Sequence, residues 1–118
     1  IEKMGQWVKG KSHDTFGPIG PYLVTKDDIS NVNNLNLNLD VNGKRMQTGN
    51  SKTMIFNVNY IVSYLSKFMS LQAGDIITTG TPPGVGMGMK PQIFLKAGDK
   101  IRLSIDNLGE QNSKVVSE

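Results

Sequence analysis

Two short stretches hold the residue types best able to do chemistry. GKSHDTFGPIGP, residues 10–21, packs a lysine (Lys11), two hydroxyls (Ser12, Thr15), a histidine (His13) and a carboxylate (Asp14) between glycines. A lysine in a glycine-lined pocket is a fixed cation that can pair with a substrate carboxylate or an enolate. The same residues also fit a plainer role, with Lys11 a solvated loop cation and Asp14 and Thr15 turn formers. TTGTPPGVGMG, residues 78–88, offers glycines whose backbone N–H groups can approach an anion, with the Thr81 hydroxyl beside Gly80. Its plainer role is a rigid connecting loop.

Several other chemistries are excluded. The chain has one His and no Cys, and its acidic residues are not spaced with His13 as a metal site requires. A Ser-His-Asp triad would have to use His13, and no Gly-x-Ser-x-Gly elbow accompanies it. GVGMGMK lacks the Gly-Lys-Ser/Thr of a phosphate loop, and Pro91 follows too closely for the long helix of a dinucleotide site. The lack of Cys also removes disulfides and fits a reducing compartment, which agrees with a cytoplasmic protein.

These stretches need elements to position them. The 118 residues allow one domain and a modest core. From Leu35, apolar Leu35, Leu37, Leu39 and Val41 alternate with Asn36, Asn38, Asp40 and Asn42, which predicts a strand with one wet face. Asn42-Gly43 is a strong hairpin signal, and KRMQTG supplies the return strand. Val58, Ile61, Val62, Leu65, Phe68 and Met69 recur at three- and four-residue spacing, which predicts one main helix over 57–69 with Asn57 as its N-cap. DIITTG (75–80) reads as a short strand leading into the second chemical stretch, and FLKAGDKIRLSID (94–106) as a turn followed by a strand. LQAGD and LKAGD share a Leu-x-Ala-Gly-Asp turn whose Asp holds the backbone through its side-chain oxygen. Residues 1–20 read as loop, Tyr22–Thr25 as a short strand, and TKDDIS (25–30) as a turn with Asp27 and Asp28 as caps. The fold class is therefore α+β and β-rich.

Charge narrows the partners. The net charge is +3, and the thirteen Lys and Arg residues are scattered without interleaved aromatics, so neither nucleic acid nor a membrane surface is expected as a partner. No apolar run approaches the length of a bilayer span. The start at Ile1-Glu2-Lys3 shows no signal peptide, and beginning on Ile rather than Met suggests a fragment.

Taken together, KGKSHDTFGPIGP, the hairpin followed by QTGNSKTMIF, the helix ending FMSLQAGD, and TGTPPGVG resemble the C-terminal half of the fumarylacetoacetate hydrolase family, in order and along essentially the whole chain. The branch most resembled acts on 2,4-diketo-3-deoxy sugar acids, and its members are often labelled ureidoglycolate lyases. The resemblance implies part of a mixed β-sandwich roll, in which residues 1–118 form the C-terminal portion of one catalytic domain. It also implies a homodimer, a Mg²⁺ or Mn²⁺ cofactor, and cleavage of a C–C bond in a small dioxo acid such as an acylpyruvate. Oxaloacetate decarboxylation and a lyase reaction are alternatives within the family, and a non-catalytic β-rich remnant or oligomerisation module is the alternative outside it. By the same resemblance Lys11 stabilises enolate or carboxylate charge, Thr81 with Gly80 holds the substrate carboxylate, and Thr15 falls near the cation. The family's Glu-x-Glu and Asp metal ligands and its His–Glu pair lie upstream of KGKS, so the resemblance places them outside this sequence and makes the fragment alone inactive. His13 does not inherit the catalytic role.

Overall fold

The computed structural model describes residues 5–117; the reading of residues 1–4 as loop and start lies outside them. Four strands form one antiparallel sheet: β1 (Asn36–Val41), β2 (Lys44–Asn50), β3 (Lys100–Ile105) and β4 (Gly109–Lys114), in spatial order β2-β1-β3-β4. The α+β, β-rich class holds, and among the described residues every strand pairing is antiparallel.

The β1–β2 hairpin forms where the sequence places it. Asn42 (φ 51°) and Gly43 (φ 78°) both take the left-handed conformation that a two-residue type I′ turn requires. Asn42 also ties the turn to the third strand. Its Nδ2 donates to Asp99 Oδ1 at 2.9 Å, and its Oδ1 accepts from the Lys100 amide at 2.9 Å. The Asn42 bond to Asp99, then the bond from the Lys96 amide, hold the Asp99 carboxyl below its ordinary range.

Alternation gives the sheet two unlike faces. Leu37, Leu39 and Val41 stand opposite Ile105, Leu103 and Ile101 on the apolar face. On the wet face, Arg45 Nε donates to Asp40 at 2.5 Å, and Arg102 bridges Asp40 (3.5 Å) and Glu110 (2.5 Å). The Arg45 hydrogen bond is the main reason the Asp40 carboxyl titrates below its usual range, and the Arg102 bond does the same for Glu110.

The main helix is shorter than predicted. α2 runs Val58–Leu65, capped by the Asn57 side chain, which accepts from the Tyr60 amide at 2.8 Å. Beyond it the chain closes into tight turns, with Phe68 and Met69 amides both donating to the Leu65 carbonyl. Val58, Ile61 and Leu65 are half-buried, whereas Val62, Phe68 and Met69 are exposed, so the buried stripe is narrower than the periodicity suggests. A second row, Phe56, Tyr60, Tyr64 and Phe68, packs along the exposed side at 4.9–6.0 Å between ring centroids, the first two pairs stacked and the last edge-on.

Four readings are corrected. Residues 7–11 are not loop but a short helix, α1 (Trp7–Lys11). Lys26–Asp28 forms the expected single turn, as a 3₁₀ helix, but Asp27 and Asp28 do not cap it; Asp28 instead accepts from the Thr25 hydroxyl at 3.2 Å. Tyr22–Thr25 joins no ladder; it follows Pro21, which has no N–H to donate, and its Tyr22 side chain lies against Gly109 of β4. Residues 75–80 likewise form no strand. Their turn is made as predicted, Asp75 Oδ2 accepting from the Gln72 amide at 2.7 Å, as Asp99 Oδ2 does from Lys96 at 2.8 Å. After it, Gly80 turns to φ 100° and two prolines follow, which ends any ladder. β4 was not anticipated: its GEQNSK sequence is polar throughout, and only the turn residues Asn107 (φ 62°) and Gly109 (φ 81°) mark it.

Among the described residues only Leu35 and Gln47 are buried, and neither completely, so the apolar face of the sheet is half covered. No described helix is long and apolar enough to cross a membrane.

Candidate functional site

The apolar face, helix α2 and the 78–88 loop border a half-open cavity of about 520 Å³. Its walls include Leu37 and Ile105 from the sheet, Val58 and Ile61 from α2, and Gly80 and Thr81 from the loop. That volume suits a small organic acid. In a mostly apolar wall, Thr81 contributes a hydroxyl and the loop contributes backbone groups.

The loop is fixed by the edge strand β2. Register along β1–β2 shifts between Leu39, which faces Gln47, and Asp40, which faces Arg45, so Met46 is the extra residue of a β-bulge. Three contacts surround that bulge. Gly84, at φ 110°, lies so close to the Met46 carbonyl that any Cβ would collide with it. Gly49 leaves space that Pro82 occupies. Between them the Gln47 amide Nε2 donates to Thr81 Oγ1 at 2.8 Å and to the Pro82 carbonyl at 2.7 Å. Gln47 is 8% exposed, on the apolar face of the sheet, where an unpaired amide would be costly. Further along, Gly86 abuts the Ile93 carbonyl and accepts from the Ile93 amide at 3.0 Å.

The first chemical stretch is held differently. Gln111 on β4 donates from Nε2 to the Gly20 carbonyl at 3.1 Å and to the Pro18 carbonyl at 3.4 Å. The Tyr22 hydroxyl and ring press on Gly109, beside a second hollow of about 290 Å³. Ahead of those anchors, Lys11 ends α1, exposed, with its ammonium 5.5 Å from the centre of the Trp7 ring, a cation–π distance. His13 packs on Phe16 at 4.8 Å, and Thr15 is exposed. Thr81 and Gly80 therefore share the larger cavity; Lys11 and Thr15 line neither cavity.

Gln47, Leu39, Leu103 and Gln111 form one cross-strand row, so both glutamines stand on the same face at opposite edges of the sheet. Three strand spacings separate them, roughly 14 Å. Among the described residues no three His, Asp or Glu side chains gather to hold a cation, so these residues do not by themselves fit a metal.

With that geometry in place, the chain belongs to the fumarylacetoacetate hydrolase family: residues 1–116 match the model of the fumarylacetoacetate (FAA) hydrolase C-terminal domain. The fold agrees with solved members. Fumarylacetoacetate hydrolase from Exiguobacterium antarcticum is similar at 42% identity and a TM-score of 0.90, over 93% of this chain and 39% of that one. Maleylpyruvate hydrolase from Sphingobium sp. SYK-6, in complex with manganese(II) and pyruvate, gives 38% identity and 0.80, over 88% and 37%. 2-Hydroxyhepta-2,4-diene-1,7-dioate isomerase from Mycobacterium marinum gives 38% and 0.82, over 95% and 40%. A Burkholderia ambifaria protein, provisionally described as a hydrolase, is 62% identical over 112 residues. The match covers 94% of this chain and 40% of that relative. The chain thus spans about two fifths of the length of the relatives it matches.

Proposed function

We propose that the full-length protein carrying this chain hydrolyses a C–C bond in a 2,4-dioxo acid, an acylpyruvate or a 2,4-diketo-3-deoxy sugar acid. In this proposal the chain supplies the carboxylate- and enolate-binding side of the active site. One observation carries it. Thr81 stands on the wall of a cavity sized for a small acid, its hydroxyl held by a buried amide. Support comes from the family and from the manganese- and pyruvate-bound hydrolase it resembles.

Water adds to the C4 carbonyl, and the C3–C4 bond breaks with its electron pair moving to C3 as an enolate. The C4 side leaves as a carboxylic acid, and protonation at C3 yields the 2-oxo acid. Thr81 and the Gly80 backbone hold the substrate carboxylate. In this proposal Lys11, which lines neither cavity of this chain, reaches the substrate in the full-length protein and stabilises the charge that develops as the bond breaks. By the family resemblance, Thr15 is assigned a place near the cation in this proposal. A divalent cation, Mg²⁺ or Mn²⁺, belongs to the proposal only with ligands from outside the described residues, and no step is assigned to it. A cytoplasmic homodimer with no nucleic-acid or membrane partner completes the proposal.

The test is turnover of acylpyruvates by the full-length protein with Mg²⁺ or Mn²⁺, products being identified by mass. Release of pyruvate and the cognate acid is expected, with kcat falling at least about 100-fold in Lys11→Ala, the scale of losing one charge-stabilising group. Isomerised or decarboxylated substrate as the sole product, or unchanged turnover in Lys11→Ala, refutes it.

A further inference from the structure

We infer that Gln47 is a positioning residue that makes the Thr81 hydroxyl a directed donor toward an anionic group in the cavity. The inference rests on Thr81 being the carboxylate ligand proposed above.

The chemistry of the partners fixes the direction of each bond. A carbonyl oxygen can only accept, so the 2.7 Å contact with Pro82 requires the Gln47 nitrogen, not its oxygen, to face the loop. The second hydrogen of the same NH₂ group then points at Thr81 Oγ1, 2.8 Å away. Thr81 therefore accepts from Gln47, and its own proton must be directed elsewhere. Among the described residues no acceptor takes that proton, and Thr81 is exposed to the cavity it lines. A hydroxyl whose lone pair is engaged from behind has fewer orientations left, and those that remain present O–H outward. That suits a carboxylate and disfavours a cation.

The fold supports the same purpose. Unpartnered glutamine on the apolar face would be unfavourable, yet here it is the buried polar residue of the sheet. The bulge at Met46 and the close approaches of Gly84 and Gly49 bring the loop within reach of its amide.

The test is a double-mutant cycle in the full-length protein, with pyruvate as inhibitor of acylpyruvate turnover. Thr81→Val is expected to raise the pyruvate inhibition constant about tenfold, and Gln47→Met about threefold, as for loss of a direct and an indirect hydrogen bond to a charged group. In the Thr81→Val background, Gln47→Met should then add nothing, because it acts through the hydroxyl. Circular dichroism checks folding; should Gln47→Met not fold, Gln47→Glu replaces it, with the Thr81 proton turned back toward the new carboxylate and the same dependence on Thr81. If Thr81→Val weakens pyruvate while the Gln47 variant has no effect, or adds its full effect in the double variant, the positioning role is overturned and the carboxylate site stands. If Thr81→Val has no effect, the carboxylate site itself is overturned, and the positioning role with it.

Discussion

The 78–88 loop and the 10–21 loop carry the two chemical stretches, and they are tethered alike but to different depths. Each is held by the amide of one edge-strand glutamine, and the two glutamines share one cross-strand row. In the 78–88 loop the tether reaches the Thr81 hydroxyl itself. In the 10–21 loop it grips the carbonyls of Pro18 and Gly20, seven and nine residues past Lys11, and the lysine stays exposed above Trp7. Thr81 is therefore positioned by this chain's own sheet, and Lys11 only by a short helix. Proximity to a backbone anchor, more than residue type, decides which is preorganised.

Glycine substitutions should give the widest contrast. Gly84→Ala forces a Cβ into the Met46 carbonyl at a φ that side chains rarely adopt, and should lower the unfolding free energy of the full-length protein by about 3 kcal/mol. Gly17→Ala in the other loop meets open space, and should change it by no more than about 0.5 kcal/mol. Urea titration of both variants checks this; equal losses would mean that the 78–88 loop is no more tightly held than its counterpart.

A smaller effect is expected at the second tether. Gln111→Leu removes one good and one long hydrogen bond at a half-buried position and should cost about 1 kcal/mol in the same titration. Because the Thr81 loop is anchored separately, pyruvate inhibition should stay within about twofold of wild type. A large rise in the inhibition constant would show the two loops to be coupled.

Much of this was legible in the residues, and the exceptions have physical causes. Strict alternation over 35–42, the Asn42-Gly43 turn and the Asn57 cap each depend on local chemistry, and each appears where the sequence puts it. Tyr22–Thr25 and 75–80 have strand-like composition, but a strand needs a partner, and neither segment pairs with one: the first follows Pro21, and the second runs into Gly80 and two prolines. The polar β4 exists because β3 offers its edge and Arg102 offers Glu110 a charge partner. Gln47 was hidden for a sharper reason. An unbulged two-residue hairpin would set Met46 opposite Leu39 on the apolar face and turn Gln47 to solvent. The bulge at Met46 reverses that, and bulges leave little trace in hydropathy. The carboxylate-holding role proposed for Thr81 and Gly80 comes from the family resemblance, whereas the residue holding Thr81 could be found only in three dimensions.

Steady-state kinetics of the Thr81→Val full-length protein on an acylpyruvate put the carboxylate site to its plainest test. KM should rise about tenfold, the scale of one hydrogen bond to a charged group, with folding and the circular dichroism spectrum unchanged. A KM and kcat equal to those of the wild type would contradict a substrate-binding role for the 78–88 loop and return it to a rigid connection packed on β2.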